Sequence, residues 1–197
     1  QDFTLENNET LTITNGLAMQ GYNLSTDNNL SAYYINADGG DLTVGGELKV
    51  TSGMVNAGNT TISKDVDVGN LSFASDKTLY VGGNLTAKSF AFNNTNAEIN
   101  GDCTIQADST NSGLSMIYES DYLLVKGNML LANSYSPSYG NLTKGTVELK
   151  GDFVQKGSYE NYPETDDHRT IISGNSKQTI SWEYPKSYNT FGKYLEL

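Results

Sequence analysis

The sequence holds one cysteine, one histidine, one tryptophan and three prolines in 197 residues. The lone Cys103 excludes an internal disulfide. The lone His168 excludes histidine-rich metal chemistry, and any Ser-His-Asp site would have to use it. Charged residues are scarce at 18%, and 23 acids against 12 Lys and Arg leave a net charge of −11. Such a chain is a poor ligand for phosphate backbones and anionic lipid, and it repels acidic polysaccharides. Nucleic acid is therefore excluded as a partner, and neutral or cationic partners remain. No run of 18 apolar residues occurs, so no helix is expected to enter a membrane. The chain also lacks an initiator Met and a signal peptide. It reads as a trimmed or mature part of something longer, in which an adjacent domain of the same chain is a possible partner.

Turn formers and strand formers are plentiful. There are 20 Gly and 22 Asn, which serve turns rather than helix interiors. Val, Ile, Thr, Tyr and Phe are spread along the whole length, and the expected class is all-β in one domain. A nonapeptide repeats. It appears as LTITNGLAM (11–19), LTVGGELKV (42–50), TTISKDVDV (60–68), LYVGGNLTA (79–87), AEINGDCTI (97–105), LLVKGNMLL (123–131) and VELKGDFVQ (147–155). Its positions 1, 3, 7 and 9 are apolar throughout, with Thr60 and Gln155 as the exceptions. Position 5 is Gly at residues 46, 83, 101, 127 and 151, and position 6 is usually Asp, Asn or Glu. Each unit is a short strand, a corner and a second short strand, with its period-2 columns facing inward. Glycine is expected to supply unusual φ values at the corner, and Asp or Asn to cap it.

Two-residue hairpins would give an antiparallel meander, whereas corners of a solenoid would give parallel stacking. Spacing favours the solenoid. Successive copies at 60, 79 and 97 lie 18 or 19 residues apart, and a third apolar pair sits between them (Leu71 and Phe73, then Phe90 and Phe92). Three short strands per turn predict a right-handed parallel β-solenoid (β-helix) of about seven triangular rungs. Residues 1–10 are expected to form the N-terminal cap, 11–155 the repeat rungs, and 156–197 the C-terminal capping segment.

The links between nonapeptides vary. They are short at 51–59, 69–78 and 88–96, and long at 20–41, 106–122 and 132–146. Tyr22, Tyr33, Tyr34, Tyr118, Tyr122, Tyr135 and Tyr139 all fall in long links, and only Tyr80 lies inside a nonapeptide. Insertions in a solenoid emerge on one side, often the binding face. Tyrosine offers an apolar ring and a hydrogen-bonding tip, which match the C–H face and hydroxyl rim of a sugar. The candidate ligand-binding residues are Tyr118, Tyr122, Tyr135, Tyr139, Tyr159 and Tyr162, with Asp121 and Asn133 to orient hydroxyls. Glu119, Asn141 and Lys144 stand nearby. Trp182, Tyr184 and Tyr188 read as capping residues, Cys103 as a core residue, and His168 as part of an exposed loop beside Asp166 and Asp167.

Catalysis finds little support. A glycoside hydrolase needs two carboxylates across one bond. Asp65 with Asp67 and Glu119 with Asp121 supply pairs, but such pairs arise freely among 23 acids. Asp102 and Asp152 obey the corner rule and are structural first. No catalytic residue, metal site or cofactor is assigned. Calcium-binding nonapeptides, EF-hand loops and a Thr-x-Thr column in every rung are all missing.

The repeats LTVGGELKV, LYVGGNLTA and VELKGDFVQKG, followed by IISGNSKQTISWEYPKSYNTFGKYLEL, resemble β-helical repeat regions of clostridial and ruminococcal surface proteins. Among these, the starch-adherence proteins of gut ruminococci are most similar, with Trp182 where Phe is common. The resemblance covers most of the chain from about residue 42. It implies an extracellular, cell-surface location and non-catalytic binding of an α-glucan such as starch or malto-oligosaccharide. A structural stalk or protein-binding adhesin module is the alternative.

Overall fold

The computed structural model describes residues 3–5, 10–108, 113–133, 142–157, 167–183 and 195–196. These residues contain strands and turns and no helix. In chain order the strands begin with β1 (Phe3–Leu5), β2 (Leu11–Ala18), β3 (Leu24–Thr26), β4 (Leu30–Asn36), β5 (Leu42–Val44), β6 (Leu48–Ala57) and β7 (Thr60–Ile62). Next come β8 (Val66–Phe73), β9 (Thr78–Val81), β10 (Leu85–Ala91), β11 (Asn96–Ile99), β12 (Cys103–Ala107), β13 (Gly113–Ser115) and β14 (Tyr122–Val125). The last are β15 (Met129–Asn133), β16 (Thr146–Leu149), β17 (Phe153–Lys156), β18 (Arg169–Ile172), β19 (Ile180–Trp182) and β20 (Leu195–Glu196).

Two 10-stranded sheets result. The first runs β1-β3-β5-β7-β9-β11-β14-β16-β18-β20; the second runs β19-β17-β15-β12-β10-β8-β6-β4-β2, with β13 also beside β10. The chain thus visits the two sheets in turn. Neighbouring strands are parallel, from β1 against β3 to β18 against β20. An antiparallel meander is therefore ruled out for these strands.

Register explains why the nonapeptide repeats. Leu24, Leu42, Thr60, Leu79, Ala97, Leu123 and Val147 stand side by side across the first sheet. Leu30, Leu48, Val66, Leu85, Cys103, Met129 and Phe153 do so across the second. Both columns are buried. A buried leucine or phenylalanine contributes about 1.5–3 kcal/mol, so each column keeps its apolar residues in line. Thr26 and Thr60 are tolerated in these inward columns because their hydroxyls are satisfied locally. Asn28 N–H donates to Thr26 Oγ1 (3.3 Å), and Thr60 Oγ1 donates to Gly58 O (3.2 Å). Gln155 is also buried, as its column requires.

The corners are held by side-chain ladders. The Oδ1 of Asp65 accepts from Asn84 N, that of Asn84 from Asp102 N, and that of Asp102 from Asn128 N, at 2.7–2.8 Å. Asn128 then accepts from Asp152 N, and Asp152 from Thr179 N. A second ladder joins Asn23, Asp41, Asn59 and Thr78. Asp65, Asp102 and Asp152 are therefore structural, as the corner rule predicts.

Three sequence expectations change. The corner glycines of the nonapeptides do not take positive φ; that conformation falls at Gln20, Asp38, Asn56, Asp76 and Asn94 in a different corner. Position 5 is glycine because a Cβ there would strike the stacked neighbour; at Gly101 it would lie 2.7 Å from Gly83 O. The copy at 11–19 is not a unit with a corner. Leu11–Ala18 is one strand of the second sheet, with a register shift between Ile13 and Gly16. The missing copy is Leu24–Ala32, inside what reads as the long link 20–41, so that link is not an insertion. Finally, β1 pairs with β3, and β18, β19 and β20 extend the ladders, so the segments 1–10 and 156–197 carry strands of the stack.

Candidate functional site

Interruptions of the stack fall at one corner. β10 passes directly from Ala87, which pairs with Ile105, to Ser89, which pairs with Gly113. On the next strand the partners of Ala87 and Ser89, Ile105 and Gly113, are eight residues apart, so six extra residues enter here. One step further, Asn133 is the register partner of Ala107 and Leu142 bridges to Met116, so the same spacing recurs. One step further again, Lys156 is the register partner of Ala132. The described residues that flank three successive long links are thus in register. Tyr135, Tyr139, Tyr159 and Tyr162 belong to two of these segments and lie outside the described residues, as does the side chain of Asn133.

The remaining predicted residues, Tyr118, Asp121 and Tyr122, are described. Asp121 is 1% exposed. Its Oδ1 accepts from Thr95 N–H at 3.1 Å, and its Oδ2 from the amides of Ile117 and Tyr118, both at 3.0 Å. The carboxylate closes the turn that leads into β14 and faces away from solvent, so Asp121 is a turn anchor rather than a ligand contact. Tyr118 stands on that turn, 39% exposed. Glu119, on the same turn, pairs with Lys144 at 3.1 Å.

Tyr122 is not in a link. It opens β14 on the outer face of the first sheet, beside Asn96 and Thr146. Its hydroxyl donates to Glu148 Oε2 (2.6 Å), while Lys150 Nζ and Ser173 Oγ donate to Glu148 Oε1, both at 2.6 Å. The bonds from Lys150, Ser173 and Tyr122 pull the Glu148 carboxyl down to about 2. Burial, then the bond to Glu148, pushes the Tyr122 phenol up to about 12. Glu148 therefore binds a proton less readily folded than unfolded. Its contribution to stability is fully present above its ordinary carboxylate range near pH 4.5 and is lost as pH falls toward 2. Denaturant titrations at pH 6 and pH 3 should show a smaller loss on acidification for Glu148→Gln than for the wild type. Equal losses would count against the network.

Two neighbouring strands extend this face. Tyr80 is 39% exposed, and Asn100 Nδ2 donates to its hydroxyl (2.7 Å). Glu98 pairs with Lys126 at 2.7 Å. Thr78, Tyr80, Asn96, Glu98, Tyr122 and Leu124 surround a shallow hollow of about 260 Å³. The alternation rule could have found this face, since Tyr80 and Tyr122 both occupy outward positions of strands. Grouping tyrosines by link length hid it.

The other singled-out residues are structural. Cys103 is fully buried, and burial together with the neighbouring Asp102 pushes its thiol up to about 12. His168 is also fully buried, which corrects its reading as an exposed loop residue; its Nδ1 lies 2.9 Å from Lys144 O. Burial lowers its pKa, against the opposing effect of that carbonyl. Trp182 packs edge-on against Phe153, with ring centroids 6.3 Å apart. Tyr184 and Tyr188 lie outside the described residues. Among the described residues no three His, Cys, Asp or Glu side chains gather as a metal site would require.

Fold and register together define the class: an all-β protein of parallel strands stacked in two sheets, with long links in successive steps of the stack. Compared with protein-family models, curated proteins and solved structures, the chain matches none of them.

Proposed function

We propose that this chain is a non-catalytic carbohydrate-binding domain of a bacterial surface protein, and that its ligand is a neutral glycan such as starch or a malto-oligosaccharide. The architecture belongs to the same proposal: a right-handed parallel β-solenoid with three-sided turns, each contributing one strand to the first sheet. On that count the ten strands of the first sheet make ten turns rather than seven. The observation that carries the reading is the register of the residues that flank three successive long links, Ala107 with Asn133 and Ala132 with Lys156. Segments leaving a solenoid along one line form a common surface, and four tyrosines concentrate in two of them. We assign Tyr135, Tyr139, Tyr159 and Tyr162 to stack on sugar rings, with Tyr118 and Asn133 at the margin. The net charge of −11 favours a neutral glycan over an acidic one.

Affinity electrophoresis through soluble starch tests this. The protein should be retarded, and Tyr135→Ala/Tyr139→Ala or Tyr159→Ala/Tyr162→Ala should abolish retardation at an unchanged melting temperature. Free migration of the wild type through starch and through a panel of neutral glycans would sink the reading. The second reading is a passive stalk. It draws on the corner ladders, which commit many Asn and Asp side chains to stacking rather than to a ligand.

A further inference from the structure

We propose that the outer face of the first sheet carries a second glycan contact: the hollow between Tyr80 and Tyr122 takes one neutral sugar ring of a chain lying across the strands. This rests on the glycan reading above, but on different residues, whose geometry is described.

The first argument is the rings. Most outward positions of these strands are small or polar, with Leu124 and Ile171 as apolar exceptions. Thr43 and Thr61 precede Tyr80 in its column, and Thr78 and Thr146 share the column of Tyr122. Two tyrosines separated by the single strand β11 therefore stand out from their columns. The two tyrosines are two strands apart, roughly 9.6 Å, and offset by two residues along them, about 6.6 Å, so their backbones are about 12 Å apart on a diagonal, which leaves room for one ring between the side chains. Both rings are fixed by their hydroxyls, Tyr80 by Asn100 and Tyr122 by Glu148. Aromatic side chains held in this way lose little freedom when a ligand arrives.

The second argument is charge. The two carboxylates nearest the rings are each matched by a lysine, Glu98 by Lys126 at 2.7 Å and Glu148 by Lys150 at 2.6 Å. The hollow is thus lined by the two tyrosines and Leu124 beside neutralised acids, with Thr78 and Asn96 as polar partners for hydroxyls. An ionic ligand would have to break one of these pairs, whereas a neutral polyhydroxyl ring would not. The third argument is size. At about 260 Å³ the hollow falls below the ~300 Å³ at which pockets for larger ligands begin, so it suits one ring rather than an enclosed oligosaccharide.

The test uses soluble starch and maltoheptaose. Tyr80→Thr/Tyr122→Thr installs the residue already found elsewhere in both columns, so the strands should persist. Starch affinity should fall about fivefold to tenfold in this variant at an unchanged melting temperature. Tyr80→Phe alone should retain most of the affinity because the ring remains. In the wild type, the Leu124 methyl resonances should shift as maltoheptaose is added, and they should still shift in Tyr135→Ala/Tyr139→Ala. Starch binding by the wild type, with unaltered affinity in the double threonine variant or static Leu124 methyls, overturns the hollow and leaves the corner reading intact. No starch binding by the wild type overturns both.

Discussion

Asp121→Ala should lower the unfolding free energy by about 3–5 kcal/mol: a hydrogen bond to a charged group contributes roughly 1.5–3 kcal/mol, three are lost, and water recovers part of the sum at the exposed Ile117 and Tyr118. The carboxylate is the hub of its turn. Oδ1 reaches Thr95, which is itself fully buried, and Oδ2 takes two consecutive amides from Ile117 and Tyr118. Alanine would leave the Thr95 amide without solvent or partner, and that single orphan carries much of the loss. The turn also sets the start of β14, since Tyr122 N–H donates to Thr95 O and Thr146 N–H donates to Asp121 O. Asn at 121 offers one carbonyl oxygen, so it can serve Thr95 or the Ile117–Tyr118 pair but not both; it should fall between alanine and wild type. Urea titration measures all three. A loss under about 1 kcal/mol for alanine would mean that water satisfies the turn.

The chain announces its scaffold more clearly than its site. The unit Leu123–Leu131 is legible because every constraint on it is local: alternation fixes the inward columns, and stacking fixes Gly127 and Asn128. All four inward residues of that unit are buried. The unit Leu24–Ala32 obeys the same geometry but is obscured, because Asn28 replaces glycine and Thr26 and Ala32 weaken the apolar columns. Its identity comes from register with Leu42 and Leu48, which is long-range information. His168 misleads for the opposite reason. The acids beside it suggest solvent, yet its burial depends on the Lys144 carbonyl, twenty-four residues earlier. Tyr122 and Asp121 are neighbours in sequence that point to opposite environments, one to the outer face of a sheet and one into a turn. A rule that treats 106–122 as a single loop cannot separate them. The register of the residues that flank the long links, by contrast, follows from link lengths once the parallel ladder is assumed.

The two explanations of the corner glycines make opposite demands, and Gly127→Ala against Gly39→Ala distinguishes them. Gly39 has φ +85° with open space where a Cβ would stand, so alanine there should cost about 1–2 kcal/mol for the backbone conformation alone. Gly127 lacks that φ, but its Cβ would lie 2.5 Å from Gly101 O and 2.6 Å from Gly101 C. Gly101 cannot retreat easily, because its amide donates to Gly83 O at 2.8 Å while its own carbonyl accepts from Gly127 N at 3.0 Å. Relief requires the strands to part. Parting them also lengthens the ladder bonds on either side, Asn128 N to Asp102 Oδ1 at 2.7 Å and Asp152 N to Asn128 Oδ1 at 2.8 Å. Overpacking of this kind costs about 3 kcal/mol. In a stacked-repeat protein the damage concentrates at one nearest-neighbour interface, so a local opening should precede global unfolding. Hydrogen exchange should therefore accelerate first at the amides of Asn128 and Asp152 in Gly127→Ala, with Leu42 and Leu48 unaffected, and the same amides should stay protected in Gly39→Ala. Equal destabilisation by the two variants, with no local opening, would mean that the corner glycines serve chain conformation after all, and that close stacking does not select them.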